Sequence, residues 1–403
     1  MTKNRGLILA VALVVSLIMG NLYAFSIFIG PLETSFGWAR HETALTFSFI
    51  MVFFSLGMIT GGNLMARLGP ANTAALGGLM AAAGFFVSSM ITNLWTLYIA
   101  YGAVAGYGLG ITNLVPMSIL MRWFPDKKGL VSGLLTMFLA FGTFFLGSKL
   151  CGHLITVYGW SATFKVMAGF FVLVILGSRF MVFPPEGYQP PNWSPPPGQA
   201  ALWGYNRLNM LKTGVAWALC LWMFGIQFGG LMVNAHIMPL AEEQNIARAA
   251  AANALGTYAI ANGVGRLFFG WMVDKAGLKV SMSLDSMFMV AGLLGVLYLF
   301  PMMGYPGLLI GVAFIGMGYG GVIPQAALLA ALFFGPKFFP KNYGFYTLPG
   351  GIVAGFLAPS FAGYVRTQQG TYTLALMVAV ALSALTLIVS LTAKPPERRT
   401  DDA

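Results

Sequence analysis

One basic side chain stands in a stretch with nothing to balance it. Residues 258–273 read YAIANGVGRLFFGWMV, and Arg266 is the only formal charge among them. A guanidinium stays protonated at any physiological pH and offers a planar fork of donors that fits a carboxylate through two parallel hydrogen bonds. Asn262 lies four residues earlier, one turn back on the same helix face. Its amide has three possible roles: orienting the guanidinium, donating to a substrate hydroxyl or carbonyl, or packing between helices. His236, in MVNAHIMPL, is a candidate proton carrier because imidazole titrates at about pH 6.5, and equally a candidate hydrogen-bonded core residue. Asp285 is a second candidate proton carrier, and also a candidate partner for neighbouring cations. Asp274 and Lys275, in GWMVDKAG (270–277), and Arg67, in GNLMARLG (62–69), are candidate gate residues at one end of their helices. Tyr107 and Tyr319, on glycine-rich GYGLG (106–110) and GMGYG (316–320), are candidate substrate contacts. Lys149 and His153 share a helix face at i and i+4, and Lys165 reads as an interface anchor. The sequence contains no phosphate loop, no nucleophile–histidine–acid set and no metal-ligand spacing, so neither a cofactor nor an enzyme activity is expected.

The elements that must position these residues follow from composition. The 403-residue chain is 58% hydrophobic and 8% charged, against about 25% charged in ordinary soluble domains. Its mean hydropathy is +0.78. The expected solvent for most of the chain is therefore lipid. Near-continuous apolar runs, without strict alternation, predict membrane-crossing helices rather than a β-barrel. Twelve spans are predicted, at about 7–32, 43–66, 72–92, 94–121, 129–157, 162–183, 212–240, 250–273, 281–301, 304–333, 343–365 and 371–393. Arg266 then falls roughly 24 Å from the outer end of the eighth span, somewhat inward of the midplane. A central arginine costs about 2.5–3.5 kcal/mol on insertion scales, so it is expected to face a cavity or a partner. No acid sits near the middle of any span, so the expected counter-charge is a bound anion, with a structural pair to Asp285 as the other reading.

The net charge of +11 reports topology rather than a nucleic-acid partner. With the first helix uncleaved and its N-terminus inside, Arg40, Arg248 and Arg366 fall outside and Lys149, Lys165 and Arg266 fall within spans. The remaining Lys and Arg residues, including Lys3, Arg5, Arg122, Lys127, Lys128, Lys341 and Arg398, fall inside, as the positive-inside rule requires. Cys151 and Cys220 fall within spans and indicate neither a disulfide framework nor a metal site.

Proline-rich residues 184–212 divide the chain into a six-span half (1–183) and a second six-span half with a short tail (213–403). The halves resemble each other at an offset of about 208 residues. PLETSFGWAR (31–40) aligns with PLAEEQNIAR (239–248), and GNLMARLG aligns with GWMVDKAG. GYGLG matches GMGYG, and FPDKKG (124–129) matches FPKNYG (339–344). At that offset Gly265 corresponds to Gly57, but Arg266 corresponds to Met58, so packing of the repeat does not call for the arginine.

These residues carry a resemblance. YAFSIFIGPLETSFGWAR (23–40), RWFPDKKGLVSG (122–133) and the eighth-span arginine together resemble the monocarboxylate transporter and oxalate/formate antiporter branch of the major facilitator superfamily. The resemblance implies an all-α integral membrane protein of the major facilitator fold, with 12 transmembrane helices in two six-helix halves. It also implies that Arg266 binds a substrate carboxylate, and it matches Asn262 to an aspartate associated with proton coupling. Asparagine takes up no proton, and the first span has no cation after Arg5, where animal relatives carry a lysine. The expected function is secondary active transport of small monocarboxylates such as lactate or pyruvate. The expected mode is proton-coupled symport by alternating access, with organic anion exchange of the oxalate/formate type as the alternative. The expected setting is the cell (inner) membrane, with both termini cytoplasmic, the lipid bilayer as partner and a functional monomer.

Overall fold

Long apolar sequences can enter lipid only if every backbone amide is satisfied within its own segment, and a helix does that. In the computed structural model, which describes residues 5–185, 187–190 and 203–397, the regular elements are all helical. Residues 186 and 191–202 of the proline-rich linker, Lys3 and Arg398 lie outside the described residues.

Ten helices are long and apolar enough to cross a bilayer, and the chain is a multi-pass membrane protein. Glycines divide two of them. The Arg40–Ser88 helix breaks at Gly69 (φ 75°, ψ 166°), and the Cys151–Gly177 helix breaks at Gly159 (φ 80°, ψ 170°). Both backbones lie in the region open to glycine without a Cβ penalty. Gly277 (φ 86°) and Gly370 (φ 73°) make the matching turns of the second half. A further helix, Arg248–Ala276, is long enough but rich in alanine, glycine and polar residues. Residues 151–158 continue the Lys128–Gly147 segment as one helix, so the described residues form twelve long helical segments. These are α1 (5–36), α2 (40–68), α3 (70–88), α4 (Leu94–Trp123), α5 (128–158) and α6 (160–180). The second series is α7 (Gly214–Glu243), α8 (Arg248–Ala276), α9 (Leu278–Met303), α10 (Tyr305–Phe333), α11 (Phe339–Gln369) and α12 (Thr373–Thr392).

Two compact units result. One comprises Met1–Asp126, Leu134–Ala201 and Phe338–Phe345. The other comprises Lys127–Gly133, Leu202–Lys337 and Tyr346–Ala403. The first turn of α5 thus packs with the second unit, and the first turns of α11 with the first.

Inside each unit the helices meet on glycines. In the first unit, a Cβ on Gly57 of α2 would stand 2.4 Å from the Tyr107 carbonyl oxygen. One on Gly106 of α4 would stand 2.9 Å from that of Ile50, and one on Gly110 2.0 Å from that of Phe54. The second unit repeats the set. Gly265 of α8 meets the Met317 oxygen at 2.2 Å, Gly316 of α10 meets Tyr258 at 2.5 Å, and Gly320 meets Asn262 at 2.2 Å. Small residues four apart are the usual means by which membrane helices approach closely. The register matches contact for contact: Ile50, Phe54 and Met58 on α2 occupy the places that Tyr258, Asn262 and Arg266 occupy on α8.

Candidate functional site

The face that α8 turns inward decides what Arg266 can do. Ile260 and Val264 point outward, 72% and 52% exposed, as lipid-facing residues should. Asn262 and Arg266, on the opposite face, are 8% and 7% exposed. The guanidinium therefore lies inside the protein rather than among acyl chains. Arg266 Nε donates to Asn262 Oδ1 at 2.9 Å, so the i−4 amide sets the plane of the fork. This bond has the geometry that the orienting role requires, among those the sequence left open for Asn262. The Arg266 backbone is fixed by close approach as well, since a Cβ on Gly133, at the start of α5, would stand 2.5 Å from the Arg266 carbonyl oxygen.

Tyr258 completes this face. Its hydroxyl donates to the Gly230 carbonyl of α7 at 3.0 Å and lies against the Asn262 side chain and the Arg266 charge. Its ring stacks on Tyr319, with centroids 6.2 Å apart and 27° between planes. Tyr319 thus reaches the Arg266 face through Tyr258. Tyr107 belongs to the first unit, where its hydroxyl shares a 2.8 Å hydrogen bond with Thr60 Oγ1.

Asp285 departs from one expectation. The sequence suggested a neighbouring cation as its partner, but the carboxyl is fully buried and its Oδ2 accepts from the Gln325 amide at 2.8 Å instead. Its position on α9 faces the backbone of α10 at Gly318 and Gly321, and among the described residues no basic side chain comes with that contact. His236 sits on α7 with both ring nitrogens engaged. Nε2 contacts the Pro359 carbonyl and Nδ1 the Tyr372 hydroxyl, each at 3.0 Å. A carbonyl only accepts, so Nε2 donates there, while the tyrosine hydroxyl serves Nδ1 as donor or acceptor.

At the other end of α8, Asp274 accepts from the backbone N–H groups of Gly129 and Leu130, both at 2.7 Å. These are orphan donors in the first turn of α5, where a carboxylate is favoured by hydrogen bonding and by the helix dipole. Gly129 and Gly270 allow this contact, since a Cβ on Gly129 would lie 1.8 Å from the Gly270 oxygen. Lys275 extends over the Trp271 ring at 5.7 Å, and Arg67 is exposed near the end of α2. Lys149 lies 5.6 Å from the centre of the Phe144 ring, and His153 and Lys165 are exposed.

The profile described as Major Facilitator Superfamily matches residues 10–233 and 217–403, which together span nearly the whole chain. The chain belongs to the major facilitator superfamily. Among curated relatives, the oxalate:formate antiporter of Oxalobacter formigenes is 28% identical over 84% of this chain and 79% of its own length. Monocarboxylate transporter 10 of Danio rerio is 28% identical over 90% of this chain and 72% of its own. Monocarboxylate transporter 13 of Bos taurus is 23% identical over 91% and 83%. Among solved structures, the E. coli fucose:proton symporter FucP superposes with a TM-score of 0.73 at 16% identity, covering 97% of this chain and 98% of that one. The proton:xylose symporter XylE gives 0.69 at 13% identity, covering 95% and 94%. The fold is therefore the facilitator fold, and the protein is a transporter rather than an enzyme.

Two residues of this facilitator's polar interior escaped the sequence reading. Tyr258, Asn262 and Arg266 are spaced by four, and that spacing was the available signal for Tyr258. Gln325 had no local signal, because its partner lies 40 residues away on another helix. Tyr258→Phe removes the hydroxyl that steadies Asn262 and leaves the ring stack. The expected cost is about 0.5–1.5 kcal/mol, or roughly a two- to twelvefold rise in transport KM. Radiolabelled uptake over a substrate series measures it, and an unchanged KM would disconnect Tyr258 from the site.

Proposed function

We propose that this facilitator carries small monocarboxylates of the lactate and pyruvate class by alternating access, with the carboxylate seated on Arg266. The observation that carries the reading is a buried guanidinium, oriented by Asn262, at a repeat position where the other copy has Met58. The repeat builds the same helix contact without any charge, so the arginine serves something other than packing. A bidentate carboxylate neutralises a permanent cation and lowers the cost of carrying it through a low-dielectric interior. Asn262 holds the geometry, and Tyr107 and Tyr319 are the aromatic contacts proposed for the rest of the substrate. Asp274 with Lys275, and Arg67 in the equivalent loop of the other half, act at the inner gate. The carrier works as a monomer in the cell (inner) membrane with both termini and the linker (184–212) in the cytoplasm, as the basic loops suggest.

Net uptake is proposed to be coupled to a proton, with His236 and Asp285 as the titratable groups available for it. The second reading is exchange of one carboxylate for another, which the antiporter of Oxalobacter formigenes favours. Proteoliposomes separate the two. Lactate, pyruvate, formate and oxalate are offered at two external pH values, with and without internal anion. Uptake into anion-free vesicles driven by an inward proton gradient is the expected result. Uptake that requires internal anion and ignores the gradient selects exchange, and absence of flux for all four acids refutes the substrate class.

A further inference from the structure

The hydrogen bonding around Asp285 is short by one proton. Its Oδ2 accepts from Gln325 Nε2, while its Oδ1 and the Gln325 Oε1 are both buried without a donor among the described residues. Two orphan acceptors on an already bonded pair mark a defect that no described protein donor repairs. The next residue makes the contrast. Ser286 has partners for its hydroxyl, accepting from Trp222 Nε1 at 3.0 Å and sharing a 2.9 Å hydrogen bond with Thr386 Oγ1.

We propose that Asp285 is a neutral carboxylic acid in this conformation and, with Gln325 as its positioning residue, forms the proton-carrying site of the transporter. A proton on Oδ1 converts that atom from acceptor to donor and supplies what Gln325 Oε1 lacks. Acid and amide then hold each other through two hydrogen bonds, Nε2–H to Oδ2 and Oδ1–H to Oε1. The alternative is an ionised carboxylate sealed among apolar groups with a single amide contact, which is among the most costly arrangements a protein interior can hold.

Among the described residues, no charged side chain is bonded to Asp285. The helix of Asp285 packs on α7, α8, α10 and α12. The titratable or charged groups nearest to it along those helices are Cys220 on α7, Arg266, Asp274 and Lys275 on α8 and Tyr319 on α10, and α12 has none. Among the described residues, the side chain that acts on Asp285 is Gln325. The repeat removes a purely structural origin as well. At the 208-residue offset Asp285 corresponds to Gly77 and Gln325 to Val115 by the glycine-ladder register, so the first unit makes the same crossing with neither polar group. There the helices close directly, since a Cβ on Gly77 would stand 2.4 Å from Thr112 Oγ1. In the second unit, Gly318 and Gly321 leave the carboxyl room against α10.

This site uses no group of the anion site, so substrate and proton bind at separate places on adjoining helices. Release follows when the α9–α10 contact loosens and water reaches Oδ1, at which point the ionised form is solvated and Gln325 loses its second bond. The inference rests on the carrier reading for its transport readout only.

Two measurements test it. Infrared difference spectra of the lipid-embedded protein at neutral pH read the protonation state without any substrate. Wild type minus Asp285→Asn is expected to show the carbonyl stretch of a carboxylic acid, and Gln325→Leu is expected to shift that band upward as its hydrogen bonds are lost. A difference spectrum containing only carboxylate bands overturns the proposal. Should Asp285→Asn fail to fold, isotope-labelled aspartate in wild type and in Gln325→Leu makes the same assignment. In proteoliposomes, Asp285→Asn is expected to lose accumulation driven by a proton gradient while substrate counterflow persists. Gradient-driven accumulation that survives with its wild-type pH dependence overturns the proposal. A wild type that moves no monocarboxylate strikes the carrier reading, and the infrared result then decides the proton site alone.

Discussion

Arg266→Ala is expected to abolish monocarboxylate uptake while leaving a folded, membrane-inserted protein. Removing one partner of a buried, hydrogen-bonded charge pair costs about 2–5 kcal/mol, equivalent to roughly 30- to 5,000-fold in affinity. The fold should tolerate the change because Met58 occupies the same register in the first unit, and the close contacts there are made by backbone and glycine. Arg266→Lys keeps the charge but replaces a planar fork with a point charge on a flexible stem, and it leaves Asn262 Oδ1 without its Nε donor. It is therefore expected to fail nearly as badly, with any residual flux at a raised KM. Uptake into proteoliposomes, normalised to protein that elutes as a single species, gives the measurement. Wild-type flux in either variant would remove the carboxylate site from α8.

Gly320→Val is expected to produce the second large effect, through shape rather than charge. A Cβ at this position would lie 2.2 Å from the Asn262 carbonyl oxygen and 3.0 Å from its carbon. Both atoms are backbone, so the α8–α10 pair must separate. Overpacking of this kind costs about 1–3 kcal/mol. Gly110→Val is the matched control, since its Cβ would meet the Phe54 oxygen at 2.0 Å in the first unit. Both variants should lower the melting temperature of the purified protein by similar amounts. Only Gly320→Val should also weaken substrate binding beyond what lost stability explains, because the displaced residue there is Asn262. Gly263→Ala, on the open face of α8 with nothing within 4 Å, should leave both properties intact. Equal transport defects at Gly110 and Gly320 would show that helix spacing alone, and not the Tyr258–Asn262–Arg266 face, limits the carrier.

The two effects separate scaffold from site within a single repeat. The scaffold is symmetric: positive-φ glycines turn the chain at Gly69 and Gly277, and glycine ladders lock α2 to α4 and α8 to α10. The polar residues are not symmetric. Tyr258, Asn262, Arg266, Asp285 and Gln325 stand where the first half has Ile50, Phe54, Met58, Gly77 and Val115. A duplicated frame that has acquired one-sided chemistry explains why, among the described residues, the buried arginine and aspartate both lie in one unit.

Much of this was legible in the residues alone. Apolar run length dictated a multi-pass helical protein, because a backbone in lipid must satisfy itself within the segment. The internal repeat and the lone arginine with asparagine one turn earlier were also visible, since both are matters of local spacing. The tertiary structure decided which way those residues face. In a bilayer the lipid-facing and core-facing sides of a helix are both apolar, so hydropathy does not mark the inner face as it does in water. The inward turn of α8, the amide partner of Asp285 and the capping of α5 by Asp274 all depend on helices brought together by glycines far apart in the chain. Sequence set the chemistry available in this protein, and close helix packing selected which of it is held away from lipid.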